Sequence, residues 1–299
     1  MSSKTPLGGR EQRGAALIFA LLVALLLGVF AAFFTYKAQQ NIQLAQDVSK
    51  QLHARLKADN QLKKAIYAIS RLGFVGVEWP ETEILYPSMF WGEPLEVGSG
   101  VTVSYQDLAS KLNLVPFKSG EWLKVLMFYG VDEKSARGIT DRIEDWMDSD
   151  SFRRIQGLEK KGYQYNNSQF YPRDALMQSL DELFFIPGID ERLMEIISNE
   201  ASYWGTSERA PLAGSEAMIK AYGGDDIYEQ VLAQRKDRES LRHVYNSLQG
   251  VDPGSVSDIP SGLFRISVNI EYDGAKFARS VDINLRGTDL MPFYIYGWQ

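Results

Sequence analysis

Hydrophobic positions follow three different patterns along this chain. From Ala15 to Phe34 they are continuous: AALIFALLVALLLGVFAAFF carries no charged side chain. A helix rising about 1.5 Å per residue crosses a roughly 30 Å hydrocarbon core in that length. The run also exceeds the ~7–15 residues of a signal-peptide apolar region. From Lys37 to about Leu72 the apolar residues thin out to three- and four-residue spacing, at Leu44, Val48, Leu52, Leu56, Leu62, Ile66 and Ile69, with no proline between them. That spacing predicts an amphipathic helix continuing the first without a break. The result is one rod of ~55–60 residues, ~85 Å long, whose outer half buries its stripe on a globular head.

Period two appears at both ends of what remains. Residues 73–107 gather Gly, Pro and aromatics, and VTVSY (101–105) alternates as a strand does. Near the C-terminus FRISVNIEY and AKFARSVDINL alternate on either side of Asp273-Gly274, a two-residue hairpin signal. The long stretch between them reads mostly as helix. The expected fold is α+β: flanking strands meet in one antiparallel sheet on the N-terminal helix, and a large α-helical domain is inserted between them. Trp122, Trp146 and Trp204 are expected to fill cores.

Composition narrows the function classes. The 299 residues contain no Cys and two well-separated histidines, His53 and His243, which removes thiol catalysis, thiolate zinc sites, disulfides and a histidine-rich metal site. The net charge of −6 argues against a general nucleic-acid binder. Ahead of the apolar run, Lys4, Arg10 and Arg13 face Glu11, a net charge of +2, so the rest of the chain carries −8. A basic tip stays in the cytoplasm, which predicts a single-pass inner-membrane anchor with the C-terminal bulk outside. No Walker pattern, GxGxxG or GxSxG is present, and paired carboxylates such as Asp225-Asp226 read as solvated loop charge. The chain is not expected to be an enzyme.

The border of the apolar run carries further information. Basic residues end at Arg13-Gly14 and the run starts at once with Ala15. This resembles the class III leader of type IV pilins and type II secretion pseudopilins. The resemblance implies cleavage after Gly14 by a prepilin peptidase and methylation of Ala15. It also implies that Phe19 stands fifth in the mature chain, where most of these proteins have Glu. Three segments make the resemblance specific: DLASKLNL (107–114), ARGITDRIEDWMDSDSFRRIQGLEKKGYQY (136–165) and QSLDELFFIPGIDERLMEII (178–197). Their order is similar to the large minor pseudopilin of type II secretion systems, the protein K family. An NLNTA-like element that usually follows has no counterpart in 198–260.

That family implies a leader at 1–14, a membrane helix at 15–36, and the outer half of the pilin helix with the first sheet elements at 37–106. The inserted α-domain would follow at 107–250 and a sheet-completing hairpin at 251–299. It implies a place at the tip of the periplasmic pseudopilus, where the protein would help initiate assembly and export of folded proteins. The implied partners are proteins I and J, the major pseudopilin, the prepilin peptidase and the inner-membrane assembly platform, with no nucleic acid. A minor pilin of a type IV pilus and a membrane-tethered DNA-uptake protein are the alternatives.

Asp141, Asp145 and Asp148 fall at i, i+4 and i+7, with Asp150 just beyond, followed by Gly157 and Glu159. Carboxylates gathered in this way repel one another, and flexible oxygen donors suit Ca²⁺. The residues alone leave two readings: a cation site, or a solvated helix end with Arg142, Arg153 and Arg154 as counter-ions. The family resemblance adds calcium in the α-domain, with Asp145, Asp148, Asp150 and Glu159 as ligands. LDELFFIPGIDERLMEII also resembles a DNA-binding helix-hairpin-helix, yet its loop, Gly188-Ile189-Asp190-Glu191, puts two acids where phosphate would sit.

Overall fold

The computed structural model describes residues 11–70, 90–165, 168–206, 209–234, 244, 261–285 and 293–298. The leader before Glu11 and most of 235–260 lie outside this set, as do 71–89 from the Gly/Pro-rich stretch. Helix α1 runs unbroken over Glu11–Ser70, ~90 Å of continuous rod. Alone among the described helices it is long and apolar enough to cross a membrane.

Five strands form an antiparallel sheet in the order β1-β2-β5-β6-β7, with β1 at Leu95–Gly98, β2 at Val101–Asp107, β5 at Leu263–Tyr272, β6 at Ala275–Asn284 and β7 at Tyr294–Trp298. The β5–β6 turn is Asp273-Gly274, with φ of +48° and +82°. Both residues sit in the left-handed region, as the twist of a tight hairpin demands.

Alternate residues of the central strands, Val103 and Tyr105, Phe264, Ile266, Val268 and Ile270, Val281 and Ile283, point to one core. Helix α1 closes that core with Ala54, Ala58, Leu62, Ala65, Ile66 and Ile69. Small Ala54 and Ala58 lie where the helix first meets the sheet, and Leu62, Ile66 and Ile69 further on. The sequence stripe therefore divides. Leu62, Ile66 and Ile69 are buried as expected, whereas Leu44, Val48, Leu52 and Leu56 are each more than half exposed. A helical turn takes about 3.6 residues, so a constant four-residue step overshoots it and these side chains spiral off the head-facing side. Leu44 and Val48 also precede the point where the head begins.

Strands β2 and β5 are neighbours in register from Val101↔Ile270 to Asp107↔Phe264, although the whole insertion separates them in the chain. Everything between leaves and re-enters the sheet at one place, and Asp107 fastens that place. Its Oδ1 accepts from the Ala109 N–H (2.8 Å) and the Ser261 hydroxyl (2.6 Å), and its Oδ2 accepts from the Ser261 N–H (2.8 Å). The insertion has its own core, built on Trp122, Ile139, Ile143, Trp146, Leu183 and Ile197. Its α-helices over the described residues of 107–234 are α2 (Ser119–Phe128), α3 (Glu133–Met147), α4 (Lys160–Tyr165), α5 (Glu191–Glu200) and α6 (Glu216–Gln234).

The insertion is not purely helical. The LNL element forms β3 (Leu112–Val115), which pairs in parallel with β4 (Ala201–Trp204), Leu112 against Ala201 and Val115 against Trp204. Parallel pairing needs a long crossover between its strands, so no local pattern announces it. Trp122 and Trp146 are buried as expected, but Trp204 is 37% exposed against Tyr296 of β7.

Candidate functional site

Helix α3 delivers the acidic residues. Asp132 caps its N-terminus by accepting from the Ser135 N–H at 3.0 Å, and Ala136, Ile139, Ile143 and Trp146 form its buried stripe. Asp141 and Asp145 lie on the helix and Asp148 caps its C-terminus. The following segment, 149–158, folds back over that end. The Gln156 N–H donates to Asp141 Oδ2 at 3.0 Å, and the Phe152 N–H donates to Asp150 Oδ1 at 2.7 Å.

Asp145 is fully buried and already engaged. The Arg154 guanidinium reaches its Oδ1 at 2.8 Å, and the Arg154 N–H donates to both of its oxygens at 3.3 Å. The same guanidinium holds Asp148 Oδ2 at 2.5 Å and Glu144 Oε2 at 2.8 Å. Burial works against the Arg154 charge, but Asp148, Asp145 and Glu144 more than offset it and raise its pKa. Gly157 makes this approach possible: a Cβ there would lie 1.8 Å from Asp145 Oδ2.

Asp148, Asp150 and Glu159 do converge. One carboxylate oxygen from each lies within 4.8 Å of the others, a span that fits oxygens placed ~2.3–2.6 Å from a shared Ca²⁺. Two polar atoms here are buried without a hydrogen-bond partner, Asp148 Oδ1 and Glu159 Oε1, and the buried Tyr163 hydroxyl nearby has none either. Burial raises the Glu159 pKa first, and the charges of Asp145, Asp148, Asp174 and Asp150 raise it further. Burial likewise pushes up the Tyr163 phenol. The donor set is hard oxygen with unsatisfied acceptor capacity, so it fits a divalent cation of the calcium type. Of the four ligands expected, three come together and the fourth, Asp145, stands behind Arg154. Asp174, at φ +54°, adds charge from a segment that carries no local signal in the sequence.

In the hairpin at Gly188-Ile189-Asp190-Glu191 an acid takes the helix N-terminus. The Asp190 carboxylate accepts from the Leu193 N–H at 2.8 Å and caps α5, and Arg142 donates to the Pro187 carbonyl at 2.7 Å. In the membrane-spanning part, Gly14 and Ala15 lie near the start of α1 and Phe19 is 69% exposed.

A long N-terminal helix, half apolar all round and half packed on an antiparallel sheet, is the arrangement that the resemblance to pseudopilins leads one to expect. Residues 110–199 match the model of type II secretion system protein K, and they contain α3, the acidic cluster and the hairpin. A protein of Escherichia coli (strain K12) named as a putative type II secretion system protein K is 26% identical over 205 residues, covering 62% of this chain and 60% of that one. The type II secretion system protein K of Dickeya chrysanthemi is 28% identical over 130 residues, 40% of this chain and 36% of that one. The chain thus spans less than two thirds of the length of either relative. The fold is similar to a chain of the GspK-GspI-GspJ complex of enterotoxigenic Escherichia coli, with a TM-score of 0.59 at 14% identity, over 87% of this chain and 98% of that one. Residues 110–199 thus carry the protein K domain, and along the rest of the chain the similarity is to proteins named as type II secretion system protein K and to the fold seen in the GspK-GspI-GspJ complex.

Proposed function

We propose that this protein is the minor pseudopilin at the tip of a type II secretion pseudopilus. There it joins partners of the I and J types, helps start assembly and supports export of folded proteins across the outer membrane. The observation that carries this reading is the pair of apolar faces on α1. One face, from Ala54 to Ile69, is consumed by the head, while Leu44 and Val48, ahead of the head, and Leu52 and Leu56, turned away from it, stay exposed. An apolar spiral of this kind on a soluble stretch of helix marks a contact with other helices.

The bulky insertion between β2 and β5 supports a terminal position, since a subunit stacked beyond it would meet that bulk. Phe19 supports it too: it offers no carboxylate to the N-terminal amine of a neighbour. Maturation after Gly14, methylation of Ala15, a periplasmic head, and contacts with the major pseudopilin, the prepilin peptidase and the assembly platform complete the reading. Asp148, Asp150 and Glu159 would hold calcium in the insertion, and the ion would supply charge neutralisation and order there rather than chemistry. The test is co-expression of the full chain with the I- and J-type pseudopilins of the same secretion system. A stoichiometric ternary complex that Val48→Asp or Leu52→Asp disperses is the expected result; a chain that purifies alone would refute the assignment.

A further inference from the structure

A cation beside a cation site ordinarily opposes it, yet Arg154 is gripped by three carboxylates of the same cluster. It takes Asp148 by Oδ2 and leaves Oδ1 buried and unpartnered. It takes Asp145 by Oδ1 through the side chain and by both oxygens through its own N–H. The third grip is on Glu144. Arg154 also sits at the middle of the 149–158 segment, whose ends carry Asp148 and Asp150 on one side and Glu159 on the other. Turning Arg154 inward turns its neighbours outward: Phe152 is 83% exposed and Ile155 94%. Nothing apolar holds this loop down at its centre, so electrostatics must.

We propose that Arg154 is a built-in counter-cation and a positioning residue for the cation site. It withholds Asp145 from the ion, and it fixes Asp148 by one oxygen so that the other is available beside Asp150 and Glu159. It also keeps the 149–158 loop folded in cation-free conditions. The ion and Arg154 then do overlapping work: each neutralises part of one carboxylate cluster, the ion across the ends of the loop and the guanidinium at its centre. The loop of the native protein should depend little on calcium, and that of a protein lacking Arg154 should depend on it strongly. The inference rests on the calcium reading above.

The test uses the full chain in detergent micelles, with terbium luminescence and calcium competition to measure cation binding. Hydrogen exchange of residues 149–158, in chelator and in calcium, measures the loop. In chelator, Arg154→Gln should exchange there about tenfold faster than the native protein, the equivalent of ~1.4 kcal/mol of local stability, and calcium should restore native protection. Arg154→Lys keeps the charge without the three-way grip, so it should fall between the two in chelator and reach native protection in calcium. It also serves if the glutamine variant does not fold. Asp150→Asn with Glu159→Gln should abolish terbium binding and leave chelator protection at or above the native level.

Equal protection of Arg154→Gln with and without calcium, in a protein that binds terbium, overturns the counter-cation role. So does a loss of protection that calcium cannot restore in either Arg154 variant, which would make Arg154 a plain structural staple. A native protein that binds neither terbium nor calcium overturns the calcium reading itself, and the inference falls with it.

Discussion

The helix-and-sheet frame and the insertion are held together by different physics. In the frame, one face of α1 and alternate positions of β2, β5 and β6 meet in a core of aliphatic and aromatic side chains. The bidentate Arg265–Asp282 pair on neighbouring strands, at 2.7 and 2.9 Å, is the main buried polar contact. The insertion has an apolar core as well, but buried polar groups fix its segments: Asp145 with Arg154, Arg209 with Glu121, and Asp107 with Ser261 at the junction. Burial of apolar area is non-directional and forgiving. A buried charge is neither, since it needs one particular partner in one geometry. The frame thus responds to loss of buried volume, whereas the insertion responds to loss of a specific partner, to pH and to ions.

The largest effect expected of this difference lies within α1. Leu62→Ala, at the centre of the frame core, should lower the stability of the head by about 3–4 kcal/mol. Leu52→Ala, on the exposed side of the same helix, should stay within about 0.5 kcal/mol. Chemical unfolding of both in detergent decides the matter, and equal losses would mean that the head-facing side of α1 is wrongly placed.

Arg209→Met comes next. Arg209 is fully buried, contacts Glu121 at 3.0 Å and donates to the Lys111 carbonyl, and Tyr222 donates to the same Glu121. Removing the guanidinium strands a largely buried carboxylate, at about 3 kcal/mol. Hydrogen exchange should rise in α2 and α6 while β5 and β6 stay protected. Exchange rising equally in both regions would dissolve the distinction between them.

The smallest effect is at the junction. Burial holds the Asp107 carboxyl above its ordinary pKa, and hydrogen bonds from Ser261 and Ala109 with the Arg209 charge offset this only in part. The folded protein therefore binds this proton more tightly than the unfolded chain does. The contribution of Asp107 is fullest below the ordinary aspartate value of about 4 and is lost as the pH rises through the raised folded value. Asp107→Asn turns an amide donor toward the Ser261 N–H, at about 1 kcal/mol. The loss relative to the native protein should be greatest near pH 4 and shrink toward pH 7. A loss that grows with pH would contradict the direction of the shift.

The same contrast decides what can be read from the sequence. The frame is legible wherever a period recurs: the unbroken helix, the strand at VTVSY and the hairpin at Asp273-Gly274 follow from spacing and turn chemistry, and the meeting of the flanking strands in one sheet is the simplest way to join them. The outer stripe of α1 misleads because a four-residue step looks like one face on paper and drifts around the helix in space. In the insertion, α3 and its acids are legible because they are local. The parallel β3–β4 pair is not, since its strands lie at opposite ends of a long helical crossover and neither alternates long enough to stand out. The division of labour among the acids is equally hidden. Asp145 and Asp148 are equivalent by spacing, and only the fold-back of 149–158 gives Arg154 to the first and leaves an oxygen of the second unpartnered. Asp174 reaches the cluster from a segment with no pattern at all.

Above all, we propose that this chain is processed and assembled as a pseudopilin. The most direct test is mass spectrometry of the protein isolated from membranes with and without a prepilin peptidase. The account predicts a mature N-terminus at methylated Ala15 when the peptidase is present, and the intact leader when it is absent. An intact N-terminus in both membranes would contradict it.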